Sequence, residues 1–60
     1  MNELAWARYT EDMVKAERLF HTIQELYSMY PEEMRISKAR LHGVITADEA
    51  ALVRKFYSGY

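Results

Sequence analysis

The sequence predicts an all-α protein: a long N-terminal helix over about 3–30, followed by a two-helix hairpin over about 31–42 and 47–58. Three observations carry this. First, Trp6, Tyr9, Met13, Ala16, Phe20, Ile23, Tyr27 and Tyr30 recur at alternating steps of three and four, which places them on one face of a helix. Second, between Glu3 and Tyr30 there is no glycine, no proline and few β-branched residues. Third, no stretch alternates apolar and polar residues for long and no hairpin dipeptide appears, so strands have no support. A chain of 60 residues makes one domain at most.

The first helix has a start signal in Asn2, a capping residue, with Glu3 suited to the first turn. Thr10 followed by Glu11 and Asp12 also reads as a start, so the pattern leaves continuity at that point open. The apolar seam crosses Thr10 without a change of phase. Pro31 ends this helix by restricting Tyr30, and can open the next from its first position with Glu32 and Glu33 behind it. Arg40 and His42 suit the C-terminal end of the second helix, and Gly43 can take the left-handed closing conformation. Thr46 and Glu49 have the spacing of a capping box, with Ile45 placed to staple onto Ala50. The third helix then runs from Ala47 to about Ser58 and stops at Gly59.

The seam sets the functional expectation. Trp6, Met13, Phe20 and Tyr27 take heptad position a, and Tyr9, Ala16, Ile23 and Tyr30 position d. Arg8, Glu11, Lys15, Arg18 and Glu25 fall on the opposite, solvated side. A chain this short hides only about 60% of the surface its unfolded form exposes. Small folds usually add a disulfide, a metal or another subunit. There is no cysteine, and two histidines cannot close a structural metal site. The two short helices can cover the Phe20–Tyr30 end or the Trp6–Met13 end, but not both. A homodimer is therefore expected, with Trp6, Tyr9, Met13, Phe20, Ile23, Tyr27 and Tyr30 at the interface. A monomer that docks this patch on a different protein, and a self-sufficient monomer, are the alternatives.

Chemistry has little to work with. Half the residues are apolar, which is not the composition of a disordered tail. Charge breaks every apolar run, so no membrane span is expected, and Met1-Asn2-Glu3 is not the start of a signal peptide. The absence of cysteine fits the cytoplasm, which is the expected location. Glu17, His21 and Glu25 share a face, but the Glu three residues before a His that a di-iron bundle needs is replaced by Arg18. No phosphate loop or nucleophile motif is present, so no enzyme activity and no cofactor or metal is expected. Arg35, Lys38, Arg40, Arg54 and Lys55 lie on or near a helix-turn-helix arrangement and are candidate contacts to a partner or to nucleic acid, with Tyr60 a further candidate contact. The net charge of −1 and the apolar character of helix three make a protein partner the better reading.

Residues 37–58, "SKARLHGVITADEAALVRKFYS", resemble the short C-terminal (SHOCT-like) module found at the ends of many bacterial and phage proteins. The matching residues are Leu41, Gly43, Val44, Ile45, Thr46, Glu49 and Lys55. The resemblance covers about a third of the chain and implies a small packing or oligomerisation unit without catalytic residues. The chain departs from that family in carrying a long aromatic helix in front rather than a large domain. As a whole it is similar to small phage-encoded helical inhibitors, which act by occupying the surface of a host enzyme. That likeness implies a non-enzymatic binding protein with a bacterial target, in the host cytoplasm. A nucleic-acid-binding regulator and a structural subunit are the alternatives.

Overall fold

In the computed structural model, which describes residues 3–57, three helices follow one another: α1 (Glu3–Leu26), α2 (Glu32–Leu41) and α3 (Ala47–Phe56). The described residues contain no strand. Asn2 as a cap, the end of helix three at Ser58 and Gly59, and Tyr60 lie outside them.

α1 is one helix through Thr10. The Thr10 hydroxyl donates to the Trp6 carbonyl at 3.0 Å, so the residue that reads as a start is absorbed as an ordinary helical position. The helix ends earlier than expected, at Leu26 rather than near Tyr30. The cause lies in Pro31, which has no N–H to offer the Tyr27 carbonyl. That carbonyl accepts instead from the Tyr30 N–H at 3.0 Å, tightening residues 27–30 into a turn. Pro31 sits just before α2 with φ −57° and ψ 146°, one position earlier than expected.

The α2–α3 corner follows the sequence grammar closely. Gly43 takes φ +77°, its N–H reaches the Arg40 carbonyl at 3.0 Å, and the Val44 N–H reaches the Ala39 carbonyl at 2.9 Å. That is the Schellman pattern, which satisfies the last carbonyls of α2. Thr46 Oγ1 accepts from the Glu49 N–H at 3.1 Å, and Glu49 Oε1 accepts from the Thr46 N–H at 2.9 Å. The expected capping box is therefore complete. Ile45 and Ala50, on either side of it, are both buried.

These corners bring α2 and α3 back over the C-terminal half of α1. Ile23, Tyr27, Ile36, Ala39, Ile45, Ala50 and Val53 form the core, with Leu19, Phe20, Tyr30 and Tyr57 packed around it. The molecule is elongated, 41 × 18 × 16 Å. α1 spans about 36 Å at 1.5 Å per residue and its two companions about 15 Å each. A helix of that length outruns partners less than half as long, and the N-terminal arm of α1 projects past the core.

Candidate protein-binding face

The seam divides into two parts. Ile23 and Tyr27 are buried inside the chain's own core, while Phe20 and Tyr30 are half-buried at its rim. Trp6 keeps 60% of its surface in solvent, and Tyr9 and Met13 keep 41% each. Of the seven residues expected at an interface, then, the last four serve the fold, and the three on the arm lie open. Leu4 and Val14 add exposed apolar surface on the same arm.

The last turn of α3 determines where cover stops. Phe56 ends that helix with its ring 5.5 Å from the Tyr9 ring, and Trp6 stacks on the other side of Tyr9 at 5.9 Å and 21°. Trp6, Tyr9 and Phe56 thus form a continuous aromatic strip from α1 across to α3, with Met13 one turn along. Phe56 is half-buried at the margin of the core, three residues beyond the fully buried Val53.

Most of the expected cationic contacts are used within the chain. The Arg35 guanidinium donates through Nε to the Tyr30 carbonyl at 2.9 Å, through Nη2 to the Ser28 carbonyl at 3.0 Å, and through Nη1 to Gln24 Oε1. It ties down the segment between α1 and α2, whose Ser28 and Tyr30 carbonyls lie beyond the helical ladder. Lys38 Nζ sits 5.4 Å from the centroid of the Tyr30 ring, and Lys55 Nζ 5.6 Å from that of Phe56. Arg54 Nη2 donates to Ser37 Oγ at 3.1 Å, joining α3 to α2. Arg40 is exposed near the C-terminal end of α2. Buried Val53 and Ala50 turn the inner face of α3 to the core. The buried Tyr27 forms a hydrogen bond between its hydroxyl oxygen and His42 Nδ1, 3.0 Å apart. Neither the Arg35 clasp nor this pair has a signature in the sequence.

His21 Nε2 lies 3.9 Å from Glu17 Oε1, both well exposed. Among the described residues no group of three or more His, Cys, Asp or Glu side chains is placed to hold a metal ion. A broad open groove runs beside the arm, lined by Trp6, Thr10, Val14, Lys15 and Arg18 together with their α1 neighbours. One helix supplies all of its walls, so it offers a surface to dock against rather than an enclosure for a small substrate. No helix among the described residues is long and apolar enough to cross a membrane. Comparison with protein-family models, curated proteins and solved structures finds no match to this chain.

Proposed function

We propose that this chain is a non-enzymatic protein-binding module that presents the arm of α1 to another polypeptide. The observation that carries the reading is the exposed strip of Trp6, Tyr9 and Met13, continuous with the core stripe and left largely open by α2 and α3, which touch it through Phe56 against Tyr9. Trp and Tyr supply much of the energy at interfaces because they bury large rigid surfaces at low entropic cost. A rigid three-helix unit that projects such a strip is suited to blocking a surface on its target. Together with the likeness to phage inhibitors, this favours a bacterial enzyme as that target and inhibition by occupancy as the mechanism.

The engagement of Arg35, Lys38, Arg54 and Lys55 within the chain weighs against a nucleic-acid role for the same residues. The test is capture from a bacterial lysate with the intact protein, run beside Trp6→Ser and Met13→Ser. Both variants are expected to keep the fold and to lose the retained protein. Retention by the variants at the wild-type level sinks the reading.

A further inference from the structure

We draw no further inference here: the strongest candidate, the exposed apolar face that Trp6, Tyr9 and Met13 form on the N-terminal half of α1, carries none, because nothing in the structure shows what covers it.

Discussion

The rings of Phe20 and Tyr57 lie parallel, 2° apart in plane, with centroids separated by 4.1 Å. Phe20 sits in the C-terminal half of α1, and Tyr57 is the residue that leaves α3 at φ −127° and ψ 57°. This stack fastens the end of α3 to the long helix, beside the contact between Phe56 and Tyr9 that marks the limit of cover. It separates the half of the seam that holds the fold from the half that faces outward.

Phe20→Ala and Tyr57→Ala should each destabilise the protein. Both residues are half-buried, so the loss is about 1–3 kcal/mol, combining part of the burial of an aromatic ring with the ring pair itself. A domain of this size has roughly 3–9 kcal/mol in total. Thermal unfolding by circular dichroism is the measurement. The double variant should lose less than the sum of the single losses, because each single change already removes the stack. Strict additivity would contradict a direct contact.

Arg35→Ala should cost about 2–3 kcal/mol in urea unfolding, since it leaves the Tyr30 and Ser28 carbonyls and Gln24 without a charged donor. Arg35→Lys should recover little of this. A single ammonium cannot reach three divergent acceptors with the geometry of a planar fork. Full rescue by lysine would mean that only the charge at this corner matters.

Gly43→Ala should lower stability by about 1–2 kcal/mol, equivalent to roughly 4–16 °C in melting temperature. A Cβ at this position meets nothing within 4 Å, so the penalty is entirely that of a side chain forced to φ +77°. Gly43→Asn should cost less, because asparagine tolerates the left-handed region. An alanine variant as stable as the wild type would mean that the corner reshapes at no cost.

The parts of this structure that were legible in the sequence are those governed by local physics. The capping box at Thr46 and Glu49, the Schellman turn at Gly43 and the all-helical class depend on residues a few positions apart. The periodic apolar pattern continues to Tyr30 whether or not the backbone does, so it extends α1 one turn past its end at Leu26. What decided the matter was a missing N–H at Pro31 and a side chain, Arg35, arriving from the next helix. On the seam itself, spacing makes Met13 and Ile23 equivalent. Only the length and placement of α3 separate them.

That separation gives the sharpest contrast. Ile23 is fully buried, and Ile23→Ala should cost about 2–5 kcal/mol, enough to unfold a large share of the molecules in a domain this small. Met13 has 41% of its surface in solvent and lies outside the core cluster. Met13→Ala should change stability by about 0.5 kcal/mol or less, as surface substitutions do. Urea unfolding at a protein concentration low enough to suppress association measures both. Were Met13→Ala to approach the cost of Ile23→Ala under those conditions, the arm would be part of the chain's own core.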